Sequence, residues 1–304
     1  MRSAASIAGV TDTTPQPDRA ELLECDEHTI HWELFGSGKG EIVCLLNGLA
    51  MHTAAWYGFL PRLRPDYDVL LWDYPGQGQS STVDVPYRLD RIASYLVQIL
   101  DRIGAERIHL VGISYGGFVA LEFARQFQHR LHTLAVSGIL LSREKLFDMY
   151  QQLSLRFYAG GPEAFELYTH YMYEKIFGET FVAAVGDRLE TMRRNFFDRY
   201  SGRTAALVRL TEAQDPFFEG VEARMDEYRA ITTPTLVLAA EDDRVIAPRA
   251  QRKIASILPN ARFEMIPDAG HVAYLEQPDR FFGELRELFA RKRISHRHGS
   301  PHDR

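Results

Sequence analysis

The feature of this sequence that most restricts the fold is a serine enclosed by glycines at residues 112–116, which read Gly-Ile-Ser-Tyr-Gly. Residues 107–110 before it read as a buried strand, and residues 118–124 after it carry apolar side chains at helical spacing. A strand that turns sharply into a helix leaves almost no room two positions before and after the turn, and glycine meets that need. The pattern therefore predicts that a strand, a tight turn and a helix meet at Ser114.

This turn also predicts chemistry at the serine. The Ser114 hydroxyl would project from the carboxyl edge of a sheet, where it can act as a nucleophile. The backbone N–H of Tyr115 would lie in the first helical turn, where unpaired donors and the positive end of the helix dipole favour a developing oxyanion. A chance match of the glycine and serine pattern within a loop is the alternative, and the strand and helix around it count against that interpretation.

The other strand-like segments predict a mostly parallel, doubly wound α/β sheet. Several are continuous apolar runs, as expected when helices cover both faces of a sheet, and residues 88–103 have the spacing of an amphipathic helix. Two shorter segments near the start of the chain predict a hairpin. In chain order, the predicted strands are residues 21–25, 29–35, 41–46, 68–72, 108–111, 131–141, 235–240 and 262–266.

Composition narrows the function classes open to this chain. A formal net charge of −6 argues against general nucleic-acid binding, which normally requires a basic excess. No stretch approaches about 18 uninterrupted apolar residues, and residues 1–17 lack the apolar centre of a signal peptide. Cys25 and Cys44 are too few for a disulfide framework. We therefore expect no membrane association and a cytoplasmic protein.

The middle of the chain differs from the rest. Residues 142–230 contain helical segments without a convincing strand, and they hold half of the Phe and Tyr residues. We predict a helical cap over these residues on an α/β core of residues 20–141 and 231–291. The aromatic enrichment favours a cap that covers an apolar site, and the alternative is that small helices need large side chains for their own core. Disordered tails are predicted at residues 1–19 and 292–304.

Two downstream residues can activate the serine. A serine hydroxyl is a poor nucleophile at its ordinary pKa, so Ser114 needs a base, and the base needs an orienting carboxylate. In doubly wound sheets such groups collect at the carboxyl ends of the strands. His271 follows the last predicted strand, and Asp243 follows the strand before it. Asp242 is the alternative carboxylate, and we prefer Asp243 because the earlier residues read as the closing turn of the strand.

The loop after predicted strand 41–46 is the expected source of a second oxyanion donor. The backbone N–H of Leu49 is our candidate, and a simple turn at Asn47 and Gly48 is the alternative. Apolar and aromatic side chains near this loop, in the cap and after Asp243 are the candidate substrate contacts. They are Met51, Phe147, Tyr150 and Val245.

Two groups of histidines have a superficial resemblance to metal sites. Cys25, His28 and His31 lie in the predicted hairpin, and a plain hairpin is the favoured interpretation. A solvated tail is the favoured interpretation of the C-terminal histidines, which are His296, His298 and His302. The chemistry predicted at Ser114 needs only side chains and water, so we expect no metal and no organic cofactor.

Four motifs together resemble the α/β-hydrolase superfamily over about residues 21–291. They are the serine turn at 112–117, the glycine-rich run at 73–80, the acidic loop at 241–245 and the Asp-Ala-Gly-His sequence at 268–271. The resemblance implies that the serine, histidine and aspartate named above form a catalytic triad. It also implies that the amides of Leu49 and Tyr115 form the oxyanion hole, under a helical cap.

One loop departs from the pattern of the superfamily. Most members have His-Gly where this chain has Asn47 and Gly48, and residues 46–51 are similar to a branch of 3-hydroxyacyl transferases that take acyl chains from thioester carriers. Under this alternative an acyl carrier is a partner. Cap arginines could then contact its phosphate, although a solvated helix face is the favoured interpretation of these residues, which are Arg193, Arg194 and Arg199.

The leading hypothesis is a serine hydrolase that cleaves a carboxylic ester or thioester with an apolar acyl or aryl group through an acyl-enzyme at Ser114. Three alternatives stay open: transfer of a 3-hydroxyacyl group from a carrier thioester, hydrolysis of a carbon–carbon bond as some family members with similar caps perform, and a non-catalytic binding protein of the hydrolase fold. The expected partner is a small-molecule substrate, and a homodimer is a candidate assembly.

Overall fold

The computed structural model describes residues 14–297, without the side chains of residues 291–297. Its strands are β1 (Arg19–Cys25), β2 (His28–Phe35), β3 (Ile42–Leu46), β4 (Asp68–Trp72), β5 (Ile108–Ile113), β6 (Leu131–Ser137), β7 (Thr235–Ala240) and β8 (Ala261–Ile266). They form one sheet in the spatial order β1-β2-β4-β3-β5-β6-β7-β8. β2 pairs antiparallel with β1 and β4, and all the other pairs are parallel. The predicted fold class is confirmed.

Helices separate the parallel strands and fill the space between β6 and β7. They are α1 (Leu89–Ile103), α2 (Tyr115–Phe127), α3 (Lys145–Ala159), α4 (Gly161–Ile176), α5 (Glu179–Val185), α6 (Arg188–Tyr200), α7 (Thr204–Glu212), α8 (Asp215–Gly220), α9 (Met225–Arg229), α10 (Pro248–Ile257), α11 (Ala273–Glu276) and α12 (Pro278–Arg297). A long 3-10 helix, Thr53–Arg62, follows β3.

The apolar runs of the central strands reflect burial on both faces of the sheet. In β3, Cys44 packs in the cluster that includes α1, α2 and α10, whereas its neighbours Val43 and Leu45 pack in the cluster that includes the 3-10 helix and α12. Side chains along a strand alternate between faces, so an amphipathic pattern would leave one face polar. Complete burial of an aliphatic side chain stabilises the fold by about 1.5–3 kcal/mol.

The segment between β6 and β7 is an insertion made of helices. Residues 138–234 are all described, and they contain helices α3 to α9 but no strand. Part of the insertion has its own aromatic cluster, centred on Phe165, Tyr158 and Tyr168. Its two ends join the core of the sheet, where Phe147 and Phe217 pack beside Phe118 of α2. The insertion therefore sits over the carboxyl edge of the sheet next to the serine turn.

Several predicted boundaries are wrong. Arg19 pairs with Leu34 in the sheet, so the predicted N-terminal tail of residues 1–19 ends too late, and its residues 1–13 lie outside the described part. The predicted C-terminal tail of residues 292–304 begins too early, because α12 continues to Arg297. No glycine or proline interrupts residues 292–297, and basic residues suit the negative end of the helix dipole. Residues 298–304 lie outside the described part.

The strand predicted over residues 131–141 is also too long, since β6 ends at Ser137. Gly138 has a φ of 66°, a left-handed conformation that glycine adopts readily and that turns the chain out of the sheet. An added Cβ at this position would lie 2.8 Å from Cε1 of His271. The early end of β6 therefore leaves room for the histidine ring.

The serine turn is confined by backbone atoms. Ser114 has a φ of 50° and a ψ of −121°, a strained conformation for a residue with a side chain. A Cβ at Gly112 would lie 2.3 Å from the carbonyl oxygen of Gly116, and a Cβ at Gly116 would lie 2.6 Å from that of Leu46. The glycines thus permit the close contact of β5, α2 and the end of β3 that the sequence predicted. Within the described residues, no helix has the length and apolar character needed to cross a membrane.

The same substitution at two helical glycines is expected to have opposite effects on stability. Gly116→Ala forces backbone atoms apart and should lower the free energy of unfolding by about 1–3 kcal/mol. Gly283→Ala, in α12 with nothing within 4 Å of its added Cβ, should raise it by about 0.5–1 kcal/mol. Urea denaturation of both variants checks the pair, and a Gly116→Ala protein as stable as the wild type would contradict this account of the turn.

Candidate active site

Three side chains from separate strand ends form a hydrogen-bonded row. Ser114 lies in the turn between β5 and α2, Asp243 follows β7, and His271 follows β8. Nε2 of His271 is 2.8 Å from Oγ of Ser114, and Nδ1 of the same ring is 2.9 Å from Oδ2 of Asp243. The structure therefore brings the three predicted residues together, at distances that allow a proton to pass from the hydroxyl to the imidazole.

The loop after β7 turns one of two adjacent aspartates inward. The carboxylate of Asp243 is buried, and its Oδ1 accepts hydrogen bonds from the backbone N–H groups of Val245 at 2.9 Å and Ile246 at 2.8 Å. Asp242 is exposed, and its backbone N–H donates to the carbonyl oxygen of Ala269. The geometry thus brings Asp243, rather than Asp242, to the histidine.

A glutamine that was not predicted from the sequence connects the loop of Asp243 to the turn after β6. Gln251 of α10 is completely buried, and its Nε2 donates to Oδ2 of Asp243 at 3.2 Å and to the carbonyl oxygen of Ile246 at 3.1 Å. Its Oε1 accepts a hydrogen bond from the backbone N–H of Gly138 at 2.8 Å. Gln251 therefore positions the carboxylate and connects it to the turn that faces the His271 ring.

The two predicted oxyanion donors lie beside the serine. Tyr115 is the first residue of α2, so its N–H has no carbonyl partner within the helix. Leu49 follows Gly48, and a Cβ added at Gly48 would lie 3.7 Å from Cβ of Ser114. Leu49, Tyr115 and Ser114 all line one cavity. Both predicted donor residues therefore share this cavity with the Ser114 hydroxyl.

Buried side chains hold the loop that carries Leu49. Nδ2 of Asn47 donates to the carbonyl oxygen of Trp72 at 2.9 Å, and its Oδ1 accepts a hydrogen bond from the indole of Trp56 at 2.8 Å. The backbone N–H of Met51 donates to Oε1 of Gln77 at 2.8 Å. The Asn47 side chain is therefore occupied in the core of the fold, away from the cavity.

A cavity of about 320 Å³ opens above Ser114, between the sheet and the helical insertion. Its wall is largely aromatic and aliphatic, and it includes all four side chains that we selected as candidate substrate contacts. These are Met51, Phe147, Tyr150 and Val245. A volume of this size lies at the lower end of the range for small-molecule sites.

Within the part of the chain that the structure describes, no side chain with a permanent charge lines the cavity. None of its residues is Asp, Glu, Lys or Arg, and His271 is its single histidine. Burial raises the pKa of Tyr150 and Tyr168 well above the ordinary value, and it raises the pKa of Tyr173 to about 12. These phenols therefore stay neutral near neutral pH, and the described part of the cavity wall has no lysine or arginine to pair with a carboxylate of the substrate.

The cap arginines, for which a solvated helix face was the favoured interpretation and phosphate contact the alternative, pair with side chains outside the cavity; Arg194 and Arg199 are exposed. Arg193 is buried rather than solvated, and its Nη2 pairs with Glu190 at 2.7 Å. Arg194 pairs with the same carboxylate at 2.9 Å, and Arg199 donates to Nε2 of His52. None of the three lines the cavity.

The candidate metal ligands at the start of the chain belong to the β1–β2 hairpin. Cys25 and His28 close the β1–β2 hairpin, and Nδ1 of His31 lies 3.1 Å from Oδ2 of Asp73. Among the described side chains, no cluster of three His, Cys, Asp or Glu residues is arranged to hold a metal ion. The tail histidines fall outside the described side chains, and they are His296, His298 and His302.

Two side chains beside the row attach the insertion to the sheet. Oε2 of Glu276 accepts hydrogen bonds from the backbone N–H of Gly270, next to His271, and from that of Gly178, next to α5, both at 2.9 Å. The Arg244 guanidinium donates to the carbonyl oxygen of Phe177 at 2.8 Å. Burial raises the pKa of Glu276, although its two backbone donors act in the opposite direction.

Comparison with known proteins identifies the family. A family model described as the alpha/beta hydrolase fold matches residues 41–278. The chain belongs to this family. Among solved structures, MGS-M2, an alpha/beta hydrolase enzyme from a Medee basin deep-sea metagenome library, is similar with a TM-score of 0.81 at 25% identity, over 89% of this chain and 97% of that one.

Two curated relatives have different substrates in their names. The chain is 30% identical over 243 residues to "Putative carbamate hydrolase RutD" of Pseudomonas savastanoi pv. phaseolicola, covering 78% of this chain and 89% of the relative. It is 29% identical over 265 residues to the 2-hydroxy-6-oxononadienedioate/2-hydroxy-6-oxononatrienedioate hydrolase of Paraburkholderia phymatum, covering 84% and 88%. The protein is a hydrolase of the α/β fold, and family membership alone leaves the cleaved bond open.

Loss of the Gln251 amide is expected to lower turnover without affecting substrate binding. Gln251→Leu removes a donor from Asp243 and a link to Gly138, so the carboxylate and imidazole lose their fixed orientation. We expect kcat on an ester substrate to fall about tenfold while KM stays within about twofold, because Gln251 lies outside the cavity wall.

Gln126→Leu is the matched control for this experiment. Gln126 also bonds backbone carbonyl oxygens from a helix, at Asp90 and Glu122, and its side chain has no contact with the row. Its kcat should equal that of the wild type. Equal kcat values for the two variants would remove Gln251 from the positioning of Asp243.

The raised pKa of Glu276 predicts a pH-dependent stability difference. The Glu276 carboxyl binds its proton more tightly in the folded state than in the unfolded state. The wild type therefore loses stability as pH rises from the ordinary glutamate pKa of 4.5 through the raised pKa of the folded state. Glu276→Gln keeps an acceptor oxygen without the charge. Its free energy of unfolding relative to the wild type should therefore increase between about pH 4 and about pH 7.

Glu276→Ala provides the comparison, because it loses both hydrogen bonds and should be less stable than Glu276→Gln throughout this range. Thermal unfolding of the three proteins across the pH series checks the expectation. A constant difference between Glu276→Gln and the wild type at every pH would show that the carboxyl titrates alike in the folded and unfolded states.

Proposed function

We propose that this protein is a serine hydrolase that cleaves an uncharged ester or thioester with a bulky apolar acyl or aryl group. The observation that supports this most strongly is the row of Ser114, His271 and Asp243 at the floor of an apolar cavity. The row supplies a nucleophile and a base, and the cavity supplies a dry site for the group attached to the carbonyl carbon.

In the first half of the reaction, Oγ of Ser114 attacks the carbonyl carbon while Nε2 of His271 takes the hydroxyl proton. The carbonyl oxygen becomes an oxyanion, which accepts hydrogen bonds from the N–H groups of Leu49 and Tyr115. Collapse of this tetrahedral intermediate breaks the bond to the leaving oxygen or sulfur. His271 protonates the leaving group, which departs as an alcohol or a thiol and leaves an ester on Ser114.

In the second half, water replaces the leaving group. His271 takes a proton from the water as its oxygen attacks the acyl carbon, and the same two amides bind the new oxyanion. Breakage of the bond to Oγ releases a carboxylic acid, and His271 returns the proton to Ser114. The Asp243 carboxylate stabilises the imidazolium that forms in each half, and backbone N–H groups hold this carboxylate in place.

Carbon–carbon bond hydrolysis is the second candidate, because the Paraburkholderia relative has a dienedioate substrate in its name. A dioate carries two carboxylates, and this cavity offers neither an arginine nor a lysine to pair with them. Burial of an unpaired carboxylate is strongly unfavourable. Uncharged esters therefore fit this cavity better, and the same steps would also cleave a carbamate ester.

Acyl transfer to a carrier has less support than hydrolysis. The motif that motivated it begins with Asn47, whose side chain bonds Trp72 and Trp56 in the core rather than facing Ser114. The arginines considered for a carrier phosphate pair with Glu190 or His52 outside the cavity. Water is accordingly the proposed acceptor, and a small molecule is the proposed partner.

Ester turnover by the wild type and by Ser114→Ala tests this function. On para-nitrophenyl esters of increasing acyl length, we expect kcat of the variant to fall by about 10⁴-fold or more, because the row acts as a unit. A fluorophosphonate should add to the wild type and not to the variant, as measured by intact mass. Ser256→Ala, an exposed serine on α10, is the matched control and should behave as the wild type.

The same assay separates the candidate substrates by charge. An ester with a carboxylate at the far end of its acyl chain should have a kcat/KM at least about tenfold below that of the methyl-terminated ester. A wild type that is labelled by fluorophosphonate but prefers the carboxylate ester would reject the uncharged substrate. Full activity of Ser114→Ala would reject the acyl-enzyme.

A further inference from the structure

A group of polar side chains interrupts the apolar wall of the cavity, and all of them belong to the helical insertion rather than to the sheet. Gln151 and Ser154 come from α3, Thr211 comes from α7, and Gln214 lies between α7 and α8. Ser114 lies on the opposite wall, in the turn before α2. The two walls meet through Phe118 of α2 and Phe147 of α3, one helical turn before Gln151.

Some polar atoms of the wall already have partners within the protein, whereas the Thr211 hydroxyl has none among the described residues. The Ser154 hydroxyl donates to the carbonyl oxygen of Tyr150 at 2.9 Å, and the Tyr158 hydroxyl donates to that of Tyr168 at 2.8 Å. Nε2 of Gln214 donates to a backbone carbonyl oxygen at 3.4 Å. The Tyr158 bond therefore joins α3 to α4, and the Ser154 and Gln214 bonds are local to their own segments.

Gln151 is the exception among the side-chain amides of the wall. Its side chain lines the cavity, the residue is 7% exposed, and Nε2 has no hydrogen-bond partner among the described residues. A buried amide donor without a partner is unfavourable, and such groups in native proteins usually meet a ligand or an ordered water. The cavity is the side from which a partner can approach.

We propose that Nε2 of Gln151 donates a hydrogen bond to an uncharged oxygen of the substrate, a carbonyl or ether oxygen separate from the carbonyl attacked by Ser114. This assignment rests on the proposed ester hydrolysis and narrows its substrate to acyl groups that carry a second oxygen. An amide N–H donates, so its partner is an acceptor. The neutral wall around it excludes a carboxylate as that acceptor.

The assignment also accounts for the composition of the cavity. A largely apolar wall that contains an unpaired amide donor provides little binding energy from hydrogen bonding but strong discrimination, because a substrate that lacks the acceptor leaves the Gln151 amide buried and unpaired. Gln151 would thus determine which acyl group is accepted, while Ser114 and His271 act on any ester that reaches them.

The test uses para-nitrophenyl esters of a straight-chain acid and of its oxo derivatives, with the ketone moved one carbon at a time. Wild type and Gln151→Met are compared, because methionine has a similar length without a donor. We expect the wild type to prefer one oxo ester over its parent, and we expect this ratio of kcat/KM values to be about tenfold smaller in Gln151→Met. The parent ester serves as the control for folding and for the chemistry at Ser114.

Each outcome decides one proposal. If the wild type hydrolyses no ester and takes up no fluorophosphonate, the proposed function fails. If the esters are hydrolysed but no oxo derivative is preferred, or Gln151→Met keeps the preference, the hydrolase assignment stands and the role of Gln151 is rejected. Gln151→Met could also lose activity on the parent ester. In that case Gln151→Asn, which keeps a donor on a shorter side chain, should recover the activity. Failure to recover it would reject the substrate contact and assign Gln151 to the packing of α3.

Discussion

The close contact between the start of α2 and the end of β3 is the constraint on which the candidate site depends. A Cβ at Gly116 would meet the carbonyl oxygens of Leu46 and Asn47, so only glycine allows the two segments to touch. This contact places the Tyr115 amide and the loop that follows β3 beside the Ser114 hydroxyl. The Ser114 hydroxyl and the two proposed oxyanion donors thereby become neighbours, although they come from distant parts of the chain, and the strained backbone of Ser114 is held by its surroundings.

The loop after β3 in turn depends on a buried polar network as well as on apolar packing of Leu49 and Met51. The Asp73 carboxylate accepts hydrogen bonds from the backbone N–H groups of Thr53 at 2.8 Å and Gln79 at 3.0 Å, and it lies 3.1 Å from the His31 ring. Because an unpaired buried charge is costly, such a carboxylate fixes every segment that donates to it. The β1–β2 hairpin, remote in sequence from the row, therefore supports the loop that carries Leu49.

The sequence was sufficient for the parts of the fold and site that depend on local pattern. Apolar runs predicted the parallel strands, and glycine spacing predicted the turn at Ser114. The sequence did not predict three polar side chains of the site, Gln251, Gln151 and Glu276. Each is a single polar residue in an ordinary helical stretch, and its role depends on contacts with residues far away in the sequence. Gln251 is adjacent in sequence to Arg252 and near other basic residues, so it reads as part of an exposed helix face. The predicted ends of β6 and α12 were wrong for a different reason: local composition does not determine the residue at which a strand or helix ends.

The attachment of the insertion connects the shape of the cavity to the geometry of the row. Arg244, which holds the end of α4, follows Asp243 directly, and Glu276 bonds the residue before His271 as well as Gly178 of the insertion. A displacement of α4 and α5 would therefore pull on the two loops that carry the carboxylate and the imidazole. Under the proposed function, an acyl group that fills the cavity would stabilise the insertion in place, and through these contacts it would also stabilise the alignment of His271 with Ser114. Substrate fit and activation of Ser114 would then be coupled through the backbone, without direct contact between the acyl group and Asp243.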